Sequence, residues 1–285
     1  MTSAALQGLP RVVLRLHRPA LLIWTALVTG LIGRLVWLNE VTADHVRAAV
    51  GKCDRVMACA DLLASLDYSD PVGHIGTFIC RGFLAVAVFA GGALIGRELE
   101  SGTARLAWTQ GVTPARWLTA KLAVPALALT VGGTAQVLAF RWGWGANHDL
   151  MDDNWTFDDV FVARGPLAVA YALCALAVGT LLALLLRRAL AAAAAAVAVM
   201  WLLNLVLELN RAALWPGVTR TSPKPFKLPH DVWEVSSGRN AGGRFAVYHP
   251  ESHYWPLHLV ETGIVLTLAA LATTAAYAVL RRRAA

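Results

Sequence analysis

The sequence of 285 residues is 57% hydrophobic and only 15% charged, whereas roughly a quarter of the residues of a typical soluble protein are charged. This balance excludes an ordinary soluble globular protein and makes the lipid bilayer the first solvent to consider. The net charge of +7 follows from the distribution of cations described below, so it predicts no nucleic acid partner.

Six stretches are long and apolar enough to cross the hydrocarbon core as helices, because about 20 residues rising 1.5 Å each cover it. The first is too long for the apolar region of a signal peptide, so we expect it to remain in the mature protein. The predicted fold is all-α, a polytopic membrane protein in which residues 1–285 form a single transmembrane domain. Its spans are approximately 20–38, 75–96, 122–140, 166–186, 189–207 and 257–280.

Two segments flank the first span. Arg11, Arg15 and Arg18 recur at helical spacing, which is typical either of a helix lying in the inner interface or of a cytoplasmic extension of the span. The outer segment 39–74 has apolar residues at steps of three and four, which predicts an amphipathic helix. An unbroken helix would hold the Cα atoms of Cys53 and Cys59 about 9 Å apart, beyond disulfide reach. Separate thiols are the preferred interpretation, and a bridge across a broken helix is the alternative.

The distribution of Lys and Arg between the two sides predicts how the protein is oriented in the membrane. If the N and C termini are both cytoplasmic, the inner segments carry twelve Lys or Arg residues and only two acids, Glu98 and Glu100. The outer segments 39–74, 141–165 and 208–256 carry more acids than cations. An excess of cations on the inner side is the usual pattern, so this orientation is predicted.

Two connections after the third span differ in length. Only Arg187 and Arg188 join the fourth and fifth spans, which predicts a tight helical hairpin. The outer segment 208–256 is long and rich in Pro, Gly and Trp, and we expect part of it to fold as interfacial helices.

Four ionisable residues lie inside predicted spans or at their outer ends: Arg34, Arg81, Glu208 and Glu261. Each costs about 2.5 to 3.5 kcal/mol to insert at the bilayer centre, so snorkelling or pairing is expected, for instance of Arg34 or Arg81 with Glu261. A gate or a substrate contact is the alternative. Gln136 and Asn204 lie deeper and are candidate path-lining residues, although helix-to-helix hydrogen bonds are their default role.

Segment 97–121 joins the second and third spans and contains its own signals for the end of one helix and the start of the next. Gly111 can end a short helix, and Thr113 followed by Pro114 supplies an N-cap and a first-turn proline for the next helix. We expect a rigid cytoplasmic loop with Glu98, Glu100, Arg105 and Arg116 exposed, suited to docking a soluble subunit. An ordinary solvated loop has the same composition.

This segment resembles the cytoplasmic coupling region of type-2 ABC transporter permeases, in which an acidic residue after the second span is followed by Gly-Thr, a Pro/Arg turn and a Lys. The matching residues are Glu98, Gly102, Thr103, Pro114, Arg116 and Lys121. A second similarity is to the actinobacterial branch of these permeases, whose last span follows a pattern like the run from Tyr248 to Pro256 and then Glu261-Thr262-Gly263.

The resemblance implies the permease subunit of an ABC exporter in a bacterial plasma membrane, with a second permease copy or a paralogue and surrounding membrane lipids as partners. It implies efflux of a drug, an antibiotic, a lipid or another amphipathic substrate, driven by a separate ATPase subunit that holds ATP and Mg. It assigns ATPase coupling to the following residues: Arg97, Glu98, Glu100, Gly102, Thr103, Arg105, Pro114, Arg116 and Lys121.

The chain itself is not expected to be an enzyme. No G-x-x-x-x-G-K-[ST] phosphate loop occurs, and the closest run, Gly91 to Arg97, lacks the lysine and the hydroxyl residue. Neither a catalytic residue nor a cofactor or metal site is predicted.

Two other classes of function are less favoured. A membrane enzyme that modifies lipids could use Asp152, His249, His253 and His258, but no nucleophile has a base at a recognisable spacing. A proton-coupled carrier is less favoured still, since the sequence shows neither midplane acids nor internal repeats.

Overall fold

The computed structural model describes residues 15, 17–50, 64–151, 153–229, 231–240 and 242–284. The arginine-rich segment before Arg15, the pair Cys53 and Cys59, and Asp152 lie outside the described residues, so the predictions made for them stay predictions.

The described chain is predominantly helical, which confirms the all-α prediction. Its α-helices are α1 Arg18–Trp37, α2 Ala43–Val50, α3 Asp70–Arg81, α4 Phe83–Val88, α5 Arg97–Glu100, α6 Thr103–Thr109, α7 Pro114–Asn147, α8 Asp158–Ala163, α9 Leu167–Leu186, α10 Ala189–Asn210 and α11 Tyr254–Ala284. Wider π-helical turns at Leu38–Thr42, Ala64–Ser69 and Phe89–Gly96 continue several of these helices without a break in direction. Single 3₁₀ turns cover His148–Leu150, Arg211–Leu214 and Glu251–His253.

Six continuous helical stretches among the described residues are long and apolar enough to cross a membrane, as predicted. They are the first to sixth spans: Arg18–Ala48, Asp67–Glu100, Pro114–Leu150, Leu167–Leu186, Ala189–Leu214 and Glu251–Arg283. Four of them reach more than 30 residues because helix continues into the polar flanks. At 1.5 Å per residue such a helix is longer than the hydrocarbon core, so its ends stand in the interface or in water.

The fourth span lies at the centre of the bundle and packs against the second, third, fifth and sixth. Residues are buried all round this helix, as expected for a span enclosed by other helices. Close approach depends on two glycines. A Cβ on Gly179 would come within 2.8 Å of the Ala90 Cβ, and one on Gly91 within 2.8 Å of the Ala192 carbonyl oxygen.

The two ends of the bundle carry different structures. Segment 97–121 and the turn at Arg187 and Arg188 lie together at one end, which we name the loop end. That turn is as tight as predicted: Arg187 takes a left-handed conformation with φ 55°, and Arg188 is extended. The opposite end, named the sheet end, holds the described residues 38–50, 64–74, 148–151, 153–166, 211–229, 231–240 and 242–253.

The sheet end contains a small antiparallel sheet of β1 Val218–Ser222, β2 Trp233–Asn240 and β3 Gly243–His249 in the order β1-β3-β2. The interfacial helices predicted within 208–256 are therefore wrong, apart from the two single 3₁₀ turns. Gly243, at φ +115°, supports the tight turn between β2 and β3, and its conformation is readily available only to glycine. A hairpin turn of this kind favours strand pairing over helix.

Candidate functional site

A buried ion pair fixes the start of segment 97–121 to its end. The ammonium of Lys121 pairs with one carboxylate oxygen of Glu98, and the Trp117 indole donates to the other at 3.2 Å. Lys121 is only 3% exposed. The expectation that Glu98 is exposed for docking is wrong, because two side chains of the third span occupy both of its oxygens.

The first span joins the same cluster through His17. Its Nε2 lies 3.2 Å from the Lys121 ammonium. Burial and then the charge of Lys121 lower the pKa of His17, against a smaller opposing effect of Glu98. The imidazole is therefore neutral and accepts a hydrogen bond from Lys121. Three spans thus meet at one lysine.

Three residues assigned to coupling shape the loop backbone. Gly102 has φ +76° and starts α6, while the Thr103 hydroxyl donates to the Glu98 carbonyl at 3.3 Å. Thr113 caps the next helix by accepting from the Arg116 amide at 3.4 Å, and Pro114 occupies its first turn, as predicted. Between these caps, Trp108 packs edge-on against Trp117 at 5.8 Å. These residues determine the shape of the loop.

Other loop residues point away from the bundle. Arg97, Arg105 and Arg116 are exposed, and the apolar side chain of Leu106 beside Arg105 is 59% exposed. Arg105, Leu106 and Arg116 form what we name the docking face. Glu100 is exposed too, yet its carboxylate accepts the Ala189 amide at 2.9 Å. That contact ties the loop to the first residue of the fifth span, where a helix dipole favours a negative charge.

At the sheet end, the predicted pairing of Arg34 or Arg81 with Glu261 is wrong. Glu261 pairs with Arg211, whose Nε lies 2.7 Å from Oε2, and both residues are buried, at 0% and 1% exposure. The Tyr171 hydroxyl donates to Oε1 of Glu261 at 2.9 Å. The prediction failed because Arg211 lies beyond the predicted end of the fifth span, and the 3₁₀ turn that follows α10 brings it back into the bundle.

A second pair continues this cluster. Arg211 also contacts Asp158, while Arg81 pairs with Glu208 at 3.5 Å and donates to the Asn204 amide oxygen. Burial would raise the pKa of Asp158, but a hydrogen bond with Glu208 and the charge of Arg211 outweigh it and hold that pKa below its ordinary value. We name this set the ion-pair cluster: Arg81, Asp158, Tyr171, Asn204, Glu208, Arg211 and Glu261.

The ion-pair cluster includes three residues that sequence reasoning missed, namely Asp158, Tyr171 and Arg211. A signal for Arg211 existed, because two acids near the ends of the fifth and sixth spans need cations, and Arg211 follows Glu208 by three residues. Arg34, by contrast, is exposed and has no ion pair within the described ranges.

The two candidate path-lining residues differ. Asn204 is buried and belongs to the ion-pair cluster. Gln136 is buried in the third span, and its amide nitrogen has no hydrogen-bond partner among the residues that the structure describes. Of the two, Gln136 is the one with unused hydrogen-bonding capacity inside the bundle.

The histidines that a lipid-modifying enzyme could use have hydrogen-bond partners within the fold. The Nδ1 atoms of His249 and His253 lie 3.0 Å apart, and His249 Nε2 donates to the Ala212 carbonyl at 3.0 Å. Burial lowers the pKa of His249 and the nearby His253 adds to this effect, whereas the hydrogen bond to Ala212 opposes it. His258 is buried and accepts the Leu167 amide at 3.1 Å. These bonds join β3 and the sixth span to neighbouring elements.

Comparison with known proteins gives one family. The model of the family described as ABC-2 membrane transporter related matches residues 25–211, about two thirds of the chain. The matched range contains the whole of segment 97–121 and ends at Arg211. Neither the search of curated proteins nor the search of solved structures found a match.

Proposed function

This chain belongs to the ABC-2 membrane transporter related family, and from that premise we propose that it is the permease subunit of an ATP-binding-cassette exporter driven by a separate ATPase. It is a multi-pass membrane protein with six apolar helices. In the proposed orientation, the loop end faces the cytoplasm and the sheet end faces outward.

The observation that carries the proposal is the construction of segment 97–121. Its interior is fixed by Glu98, Lys121 and Trp117, and its docking face is free. A buried, hydrogen-bonded ion pair resists deformation, since separating it leaves an unpaired charge in an apolar setting. A soluble subunit that pushes on the docking face would therefore move the loop as a unit.

The contacts of that loop indicate where such movement would go. Through Lys121 it reaches the third span and His17 at the start of the first, and through Glu100 it reaches the start of the fifth. The loop itself continues the second span. An ATPase at this surface would act on four of the six spans.

At the sheet end we assign the ion-pair cluster the role of an outer gate. It joins the fifth and sixth spans through the buried pair of Arg211 with Glu261, to which Tyr171 adds the fourth span, and the second span through a partly exposed pair. Parting these spans requires the ion pairs to break. The path for a drug, an antibiotic, a lipid or another amphipathic substrate would form with a second permease copy or a paralogue. ATP and Mg would bind on the ATPase subunit.

The test is co-purification with candidate ATPases encoded nearby, followed by measurement of ATP hydrolysis and transport. We expect Arg105→Glu combined with Arg116→Glu to reduce recovery of the complex about tenfold or more, because reversing charges at an interface repels the partner.

The matched control is Lys224→Glu with Lys227→Glu, which makes the same charge change on exposed residues of the sheet end. It should leave the complex intact. If the docking-face variant retains full assembly and coupled transport while folding normally, the assignment of segment 97–121 is wrong.

A further inference from the structure

The small sheet presents three arginines on one of its faces. Arg239 on β2 lies directly opposite Arg244 on β3, and Ser222 on β1 lies opposite the same arginine. Arg220 pairs with Ala246, two residues along β3 from Arg244. Because opposite residues share a face and side chains alternate along a strand, all of these side chains lie on one face. We name Arg220, Ser222, Arg239 and Arg244 the arginine face.

The two facing arginines, Arg239 and Arg244, do not stabilise the sheet. Like charges directly opposite each other on neighbouring strands destabilise a sheet. All three arginines are exposed, and none has an ion pair within the described part of the chain. The acid on the same face, Glu234, lies opposite Tyr248, four residues along β3 from Arg244 and so roughly 13 Å away along the strand. The positive charge is left for a ligand to neutralise.

The chemistry of the arginine face suits an oxyanion. A guanidinium presents a rigid fork of N–H donors that matches phosphate or carboxylate oxygens in pairs. Arg220 stacks on the ring of Phe226 with its Cζ 4.7 Å from the ring centre, which holds the plane and leaves its N–H edge open. The Ser222 oxygen accepts the Lys224 amide at 3.3 Å, so its hydroxyl proton remains available to donate.

We propose that the arginine face is a binding site for phosphate groups, carried either by phospholipid headgroups or by a soluble phosphate compound. A soluble phosphate compound reaches these exposed side chains directly from water, and a headgroup reaches them where the sheet lies along the membrane surface. The sheet starts four residues after the fifth span ends at Leu214 and finishes two residues before the sixth begins at Glu251, so its base is at the membrane surface. Arg239 and Arg244 lie at the end of the strands away from this base.

The experiment measures binding of inorganic pyrophosphate to the full-length protein by calorimetry, in nanodiscs of pure phosphatidylcholine. Arg239→Gln combined with Arg244→Gln should weaken binding about tenfold or more, because hydrogen bonds between charged groups are lost. The control is Lys224→Gln with Lys227→Gln, which removes the same charge from exposed residues of the same segment. It should change the affinity by about twofold at most, as expected for screened charges without direct contact.

Folding and ligand source are checked in the same preparations. Both replaced arginines are exposed and mutually repelling, so their substitution should not lower the thermal unfolding midpoint, and Arg220→Gln on β1 gives an independent second variant. Repeating the titration in nanodiscs with equal parts phosphatidylcholine and phosphatidylglycerol identifies the source. Weaker pyrophosphate binding there, at a salt concentration that screens the negative bilayer surface, indicates that headgroups occupy the site, and unchanged binding indicates a soluble phosphate compound. The proposal is overturned if the wild-type protein does not bind pyrophosphate, or if the lysine control weakens binding as much as the arginine variants.

Discussion

At the scale of single residues, Lys121 shows how this protein keeps a charge away from water. Its ammonium contacts a carboxylate and a neutral imidazole, so two of its three N–H donors have partners that offset the cost of burial. The resemblance to permeases pointed to both Lys121 and Glu98 but implied a coupling role for both. The structure separates them from Arg105 and Arg116: the first pair holds the loop together, and the second pair is exposed.

Glu98→Gln should destabilise the protein by about 2 to 4 kcal/mol, somewhat less than the roughly 3 to 5 kcal/mol for a fully buried pair, because Glu98 is partly exposed. The measurement is the unfolding midpoint in detergent. Glu98→Gln combined with Lys121→Met should recover part of the loss, since no unpaired charge is left. An equal loss in both variants would show that packing, and not the charge, is responsible.

His17 predicts a pH dependence. Its pKa is lowered from an ordinary value of 6.5 in the folded protein, so below that pH the unfolded chain binds the proton more readily and stability falls with falling pH. We expect the midpoint of the wild type to drop between pH 7 and about pH 5 by more than that of His17→Asn, which has no such proton to bind. Parallel curves for the two proteins would contradict this assignment.

At the scale of elements, the two-residue turn between the fourth and fifth spans stores a small strain. Arg187 has φ 55°, and a left-handed conformation costs a residue with a Cβ about 1 to 2 kcal/mol. Arg187→Gly should therefore raise the unfolding midpoint by an amount equivalent to about 1 kcal/mol. Arg188→Gly is the matched control, because Arg188 is extended with φ −127° and glycine there only adds freedom to the unfolded chain. If the unfolding midpoint fell by a similar amount in both variants, the backbone at Arg187 would not be strained.

Two of the three ion pairs in the ion-pair cluster differ in burial and can be compared directly. Removing Arg211 as Arg211→Met leaves Glu261 buried and unpaired and should cost about 3 to 5 kcal/mol. Arg81→Met removes the partly exposed pair with Glu208 and the hydrogen bond to buried Asn204, and should cost less, about 1 to 3 kcal/mol. Unfolding midpoints of the two variants test this. Equal costs would mean that burial does not set the strength of these pairs.

At the scale of the whole molecule, orientation rests on the unequal distribution of cations between the two ends. Leu106 at the loop end and Val235 at the sheet end are both well exposed. We expect a cysteine replacing Val235 to react with a membrane-impermeant maleimide on intact cells, and one replacing Leu106 to react only after permeabilisation. Cys53 and Cys59 are replaced by serine in both proteins. Labelling of the Leu106 position in intact cells would reverse the orientation and remove the docking face from the cytoplasm.

The sequence by itself determined the number of spans, their approximate positions, and where helices end and begin within segment 97–121. These features are local: a bilayer selects apolar length, and Gly102, Thr113 and Pro114 act on backbone within a few residues of themselves. The resemblance to permeases in segment 97–121 was likewise carried by residues within one short stretch of chain, and the family match confirms the family.

Only the tertiary structure decided which charges meet. Arg211 and Glu261 are 50 residues apart, and neither periodicity nor charge count shows that a 3₁₀ turn brings them together. Pairing of β1 with β3, and the arginines it aligns, also depends on contacts between distant segments. Partner choice among buried charges is set by desolvation, which exists only once the surrounding helices have packed.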